Sequence, residues 1–216
     1  TNFSLNADVG YVSDAAYLDD LSDNLQVSSA SHIPQIVNLS IDPFDIFMEG
    51  ESLQIDADIS AYQTLDSSVS EDDEPYSRLP GIRMNWDKSF ELNLEDAGGY
   101  LRDDSTRFSL RPEFDSELVN FNHSVANKTK GLRLDLQPAI ALPMERTYGS
   151  VTPKLTYAYT AYNVHDQPDN NPSSPTRGIY LFEIDSNIFL EREVSWQAQD
   201  HTQTLVPSLS YHYVPY

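Results

Sequence analysis

The sequence predicts an all-β fold, an antiparallel meander, on three observations. Apolar and polar side chains alternate with period two through most of the chain, helix-period stripes are scarce, and single polar connections join successive runs. Residues two apart on a strand share a face, so each run presents one apolar and one polar surface.

The elements follow in order. Phe3, Leu5, Ala7, Val9 and Tyr11 alternate with Ser4, Asn6, Asp8 and Gly10. Leu53, Ile55, Ala57, Ile59 and Ala61 alternate with Gln54, Asp56, Asp58 and Ser60. Leu132, Leu134 and Leu136 stand against Arg133, Asp135 and Gln137; Leu155, Tyr157, Tyr159 and Ala161 stand against Lys154, Thr156, Ala158 and Thr160. Tyr180, Phe182 and Ile184 follow against Glu183, Asp185 and Asn187, and the last run sets Leu205, Leu209, Tyr211 and Tyr213 against Thr204, Ser208, Ser210 and His212. Long connections rich in Asp, Asn, Ser and Pro are expected at 13–25, 63–77 and 164–177. Shorter ones are expected near Asp42-Pro43-Phe44-Asp45, Trp86-Asp87-Lys88 and Pro143-Met144-Glu145-Arg146, and near 194–201. The count is about 9 to 10 strands, with residues 93–105 unassigned.

Two architectures fit this pattern. In a soluble β-sandwich the apolar faces make a dry core. In an outer-membrane barrel they meet lipid while the polar faces line a wet lumen, and long and short connections alternate along the chain. The 13 tyrosines, low mean hydropathy and strands of roughly ten residues suit the barrel.

Composition narrows the function classes. The net charge of −21 repels phosphate backbones, so nucleic-acid binding is excluded. No run approaches the ~18 apolar residues of a membrane helix. No cysteine is present, hence no disulfide framework, thiolate zinc site or thiol nucleophile. Residues 1–77 hold 16 carboxylates and no Lys or Arg, whereas 78–216 hold 18 carboxylates and 13 cations. Solvated acidic loops explain this, as does a rim that holds divalent cations through Ser70-Glu71-Asp72-Asp73-Glu74. The chain starts at Thr1 and ends inside an alternating run, as expected of a piece of a longer protein.

Catalytic signals are sparse. Asp56 with Asp58, and Glu183 with Asp185, each share a strand face and have the residue types of a glycosidase acid–base pair, although acidic β-proteins carry such pairs on solvated faces too. His32, His123, His165, His201 and His212 have no metal-ligand spacing, and no nucleotide or serine-nucleophile motif occurs.

Particular strings carry more than periodicity. Gly131–Pro143 (GLRLDLQPAIALP), Thr147–Tyr162 (TYGSVTPKLTYAYTAY) and Thr202–Tyr216 (TQTLVPSLSYHYVPY) resemble the barrel of the LPS-assembly protein family LptD, the organic solvent tolerance proteins. Ser77–Trp86 (SRLPGIRMNW), Ile184–Glu193 (IDSNIFLERE) and the opening Phe3–Leu21 add to the resemblance in the same order. The stretch 89–107 is longer than the family pattern.

The resemblance implies a non-enzymatic segment of a large transmembrane barrel in the outer membrane of a Gram-negative bacterium, which inserts lipopolysaccharide into the outer leaflet. It implies the lipoprotein LptE inside the barrel and an LptA-type periplasmic bridge that delivers through an N-terminal jelly-roll. That jelly-roll and the first and last barrel strands are expected outside residues 1–216. No cofactor or metal is implied. In this reading Asp56, Asp58, Arg133, Asp135, Gln137, Glu183, Asp185, Ser208 and Ser210 face the lumen, and Leu132, Leu134, Leu136, Tyr157, Tyr159, Leu209 and Tyr211 face lipid. The alternatives are a soluble β-sandwich that binds glycans through calcium, and a carboxylate-pair glycosidase.

Overall fold

A computed structural model describes residues 2–14, 31–43, 51–66, 68–92, 107–166, 171–196 and 199–215. Their strands are β1 (Asn2–Val9), β2 (His32–Asp42), β3 (Glu51–Thr64), β4 (Ser77–Lys88), β5 (Phe90–Glu91), β6 (Arg107–Asn122) and β7 (Lys130–Ala141). Next come β8 (Met144–Arg146), β9 (Gly149–His165), β10 (Thr176–Ile188), β11 (Leu190–Trp196), β12 (Gln199–Leu205) and β13 (Ser208–Tyr213). One antiparallel sheet runs β1-β2-β3-β4-β6-β7-β9-β10-β13, with β5 added to β6 and β8 to β6 and β9. The expected all-β meander is present. Among the described residues the sheet does not close on itself: β1 and β13 are its two ends.

Register carries the alternation from strand to strand, because paired residues point the same way. Leu5↔Leu39, Leu39↔Ala57, Ala57↔Ile82, Ile82↔Leu118 and Leu118↔Leu134 form one row. Leu155, Phe182 and Tyr213 continue that face to the far edge. A one-residue slip anywhere would exchange the faces, so shared chemistry pins the register across nine strands.

The apolar face is uncovered. Phe3, Leu155, Tyr180 and Leu209 keep 77%, 51%, 58% and 70% of their surface exposed, and no second sheet lies over them among the described residues. Among those residues the buried apolar side chains are Leu65, Val119, Ala139 and Ala141. Three of these lie on the polar face, under longer charged side chains. A sandwich would bury Leu155 and Tyr180 in a dry core; here they face outward.

Some sequence expectations change. Trp86-Asp87-Lys88 is the end of β4 rather than a turn: Trp86 Nε1 donates to Glu51 Oε1 at 2.8 Å and Lys88 Nζ lies 3.5 Å from Glu51 Oε2, which extends the pairing with β3. Pro143-Met144-Glu145-Arg146 contains β8. Of residues 194–201, 194–196 end β11 and 199–201 begin β12; these two antiparallel seven-residue strands extend about 23 Å. The last alternating run is therefore two strands: Thr202-Gln203-Thr204-Leu205 belongs to β12, and Ser208–Tyr213 returns to the main sheet. The unassigned 93–105 lies outside the described residues, as does most of 13–25.

Two motif residues have local physical causes. Gly131 has φ 148°, and a Cβ there would press on the Asn163 carbonyl oxygen across the ladder, so only glycine fits. Pro138 lacks an N–H, and the β7–β9 ladder skips Gln137 and Pro138, resuming in the same register at Ala139↔Thr156.

Candidate functional site

The polar face is a wall of interlocked charges and hydroxyls. Its hub is Glu117 on β6, half-buried among three arginines. Arg78 Nη2 donates to Glu117 Oε1 at 2.8 Å and Arg83 Nε donates to the same oxygen at 3.0 Å. Arg133 Nη2 donates to Glu117 Oε2. Arg78 Nε also lies 3.2 Å from Asp58 Oδ2, a charge contact without hydrogen-bond alignment.

Backbone irregularity aims Arg78. It stands three positions before Gly81, so on a regular strand it would point to the apolar face. A bulge between Arg78 and Gly81 breaks the register toward both β3 and β6 and turns Arg78 to the polar side, opposite Ser60 and Phe121. Pro80 sits in that bulge, where a missing N–H breaks no ladder bond. Gly81 then leaves the path open: a Cβ there would stand 2.8 Å from Arg78 Nη2 and 2.6 Å from Asp58 Oδ1. Val119, fully buried, lies between Gly81 and Arg133.

Aromatic rings extend the hub toward one end of the sheet. The Arg133 guanidinium lies over Phe121, 5.3 Å from the ring centroid, and Tyr76 meets Phe121 edge-on at 6.5 Å. Tyr76 also contacts buried His123 at 4.8 Å. Val125 N–H donates to His123 Nδ1, so Nε2 carries the ring proton and donates to the Glu74 carbonyl at 3.0 Å. Ser124 Oγ donates to Glu74 Oε2, and Lys128 pairs with Asp72 at 3.6 Å. The β3–β4 and β6–β7 connections are thus clamped together over the hub. On the first of them, Ser68 holds the exposed Asp66 carboxyl below its ordinary range by hydrogen bonds from its side chain and its N–H.

The acidic run does not converge. Residues Glu71–Asp73 form one 3-10 turn, in which Asp73 accepts from Ser70 Oγ at 2.8 Å while Asp72 and Glu74 turn to Lys128 and Ser124.

Every sequence-predicted polar residue lies on the hub's face by register. Asp56 accepts from Ser40 Oγ at 2.5 Å and Gln54 Nε2 at 3.0 Å, so it bonds to β2 rather than to Asp58. Asp135 accepts from Gln137 at 2.7 Å and Thr160 at 2.8 Å. At the far edge Ser210 donates to Asp185 at 2.6 Å and His212 Nδ1 lies 2.9 Å from Glu183; Ser208 pairs with Asn187 in the ladder. Both proposed acid–base pairs are thus divided among cross-strand partners. Glu113 anchors a second cluster: Arg111 reaches it at 2.7 Å, and Lys154 crosses β7 over Ala139 and Ala141 to reach it at 2.5 Å.

Of the hub, sequence reasoning named Asp58 and Arg133 and missed Arg78, Arg83 and Glu117. A signal was present: Arg78, Gly81 and Arg83 lie inside SRLPGIRMNW.

An uncovered apolar face behind a charged wall is the two-faced pattern that a strand array in a membrane requires. The family model described as LPS transport system D matches residues 1–216. The chain belongs to the LptD family. It is similar to the LPS-assembly protein LptD of Hahella chejuensis, 28% identical over 99% of this chain and 25% of that protein. The LptD of Aromatoleum aromaticum is 31% identical over 97% of the chain and 23% of its own length. That of Pseudomonas syringae pv. syringae is 29% identical over 100% and 24%. The chain thus spans about a quarter of the length of the curated relatives it matches. Apart from the opening Phe3–Leu21, which begins on β1, the strings that carried the resemblance fall on β4 and β7, which contribute to the hub, and on the β9–β13 edge.

Proposed function

We propose that this segment is part of the wall of an LptD barrel in the outer membrane of a Gram-negative bacterium, and that the barrel inserts lipopolysaccharide into the outer leaflet. The observation that carries the reading is the division of one sheet into an uncovered apolar face and a continuously bonded polar face. On this reading the apolar face meets lipid, and Asp56, Asp58, Arg133, Asp135, Gln137, Glu183, Asp185, Ser208 and Ser210 line the lumen. LptE occupies the lumen. An LptA-type bridge delivers through the jelly-roll, which with the first and last strands belongs to the rest of the protein.

The physics suits the cargo. Lipopolysaccharide has acyl chains that avoid water and phosphorylated sugars whose transfer through hydrocarbon costs several kcal/mol per polar group. A wet lumen beside lipid accommodates both. The acidic wall repels phosphates within about 8 Å. Arg78, Arg83 and Arg133 gather three guanidiniums around one carboxylate, and a guanidinium fork suits phosphate oxygens, so the hub is where passing phosphates touch this wall.

A photo-crosslinker at Gln137, Ser208 or Ser210 of the full-length protein should trap LptE or lipopolysaccharide during transport, and one at Leu136 or Leu209 should trap neither. Equal crosslinking from both faces, or none from the polar positions, would refute the transport reading.

A further inference from the structure

His123 ties two connections together with both nitrogens of its ring. It follows β6 directly and is 4% exposed. Nδ1 accepts from Val125 N–H at 3.1 Å within the β6–β7 connection. Nε2 donates to the Glu74 carbonyl at 3.0 Å, 49 residues back on the β3–β4 connection, and Tyr76 closes over the ring at 4.8 Å. A ring that accepts at one nitrogen and donates at the other is neutral. A second proton would make Nδ1 a donor facing another donor, Val125 N–H, so the protonated ring cannot keep both bonds. The surrounding charges are committed elsewhere. On the β3–β4 connection the Glu74 carboxylate accepts from Ser124 Oγ, Asp73 accepts from Ser70, and Asp72 faces Lys128 of the β6–β7 connection. On the strands that carry these connections, Arg78 lies opposite Phe121 and Arg133 lies over the Phe121 ring, both turned to Glu117. No carboxylate among the described residues accepts from the imidazole.

We propose that His123 is an acid-released latch. Neutral, it holds the β3–β4 and β6–β7 connections together over the Glu117 hub; protonated, it lets them part. Keeping a cation buried without an acceptor costs far more than the two ring bonds contribute, so the charged ring leaves its site. Tyr76 loses its support at the same time, because it packs on both His123 and Phe121. Phe121 and the Arg133 guanidinium over it then become more exposed at this end of the polar face. The latch needs only these two connections, so it holds whichever face of the sheet meets lipid.

Hydrogen exchange read by mass spectrometry on the full-length protein in lipid vesicles tests it, with labelling times scaled for the intrinsic pH dependence of exchange. In the wild type, exchange across residues 123–129 should rise about tenfold from about pH 8 to about pH 5, the worth of the two ring bonds together. His123→Gln places an amide near the Nε2 position, keeps the reach to the Glu74 carbonyl and takes up no proton in this range. Its exchange should be the same at both pH values. His123→Asn reaches Val125 N–H but falls short of Glu74, and should exchange fast at both. Heat-modifiable migration checks that each variant still forms its barrel. Equal exchange by the wild type at both pH values would overturn the latch. So would slower exchange in acid, as an imidazolium paired with the Glu74 carboxylate would give. A pH response that survives in His123→Gln would overturn it too, by putting the titrating group on Glu74 or Asp72.

Discussion

Glu117→Gln tests how tightly the wall is held. The substitution keeps the shape of the side chain and removes the charge shared by Arg78, Arg83 and Arg133. Arg78 and Arg133 are half-buried, and each pair contributes about 1 kcal/mol; the Arg83 side chain is 49% exposed and contributes about 0.5 kcal/mol or less. The summed loss is about 2 to 3 kcal/mol, because the partners left behind are three mutually repelling guanidiniums. Urea unfolding of the full-length protein refolded in lipid vesicles measures it. Arg83→Gln should cost about 0.5 kcal/mol or less. Adding Arg133→Gln to Glu117→Gln should recover part of the loss, since one repelling charge goes. A Glu117→Gln loss under about 0.5 kcal/mol, or an Arg83→Gln loss equal to it, would refute the hub.

Other outcomes follow from the same geometry. Leu134→Arg should cost about 2 to 4 kcal/mol in the vesicle assay and Gln137→Arg little, because the two side chains point to opposite faces of β7. Gly131→Ala should cost about 1 to 3 kcal/mol, through φ 148° and the Asn163 backbone that blocks a Cβ. Gly81→Val should destabilise less than Gly131→Ala, because it displaces flexible side-chain ends rather than backbone, yet it should remove most of the effect of mutating Arg78.

How much was legible in the sequence depended on how cleanly each strand alternates. Ala139 and Ala141 of β7, Tyr162 and Val164 of β9 and Ile179 and Leu181 of β10 fall on the polar side, but β1, Leu53–Ala61 of β3 and Leu132–Leu136 of β7 keep their apolar residues on one side, and those faces were readable from period two. β2 and β6 blur it: Ile36, Val119 and Phe121 lie on the polar face, while Ser116 and Asn120 lie on the other. Val119 fills space between Gly81 and Arg133, and Phe121 stacks under Arg133. Neither use leaves a periodic trace. Arg78 was hidden for a sharper reason, since the bulge that turns it inward reverses the parity that a sequence reading applies. Thr204 and Leu205, the end of β12, were read as the start of the last strand because the alternation runs straight through the break at Val206-Pro207.

The central claim is that one face of this sheet meets lipid and the other meets water. Residues 1–216 contain no cysteine, so a cysteine introduced at each of positions 132 to 137 is the single thiol of this segment, and its signal is read against the full-length protein that lacks it, in a bilayer. Positions 133, 135 and 137 should react with a membrane-impermeant maleimide. A fluorophore attached to a cysteine at 132, 134 or 136 should be quenched by brominated lipid, the two signals alternating residue by residue along β7. Uniform reactivity, or alternation in the opposite phase, would contradict the account.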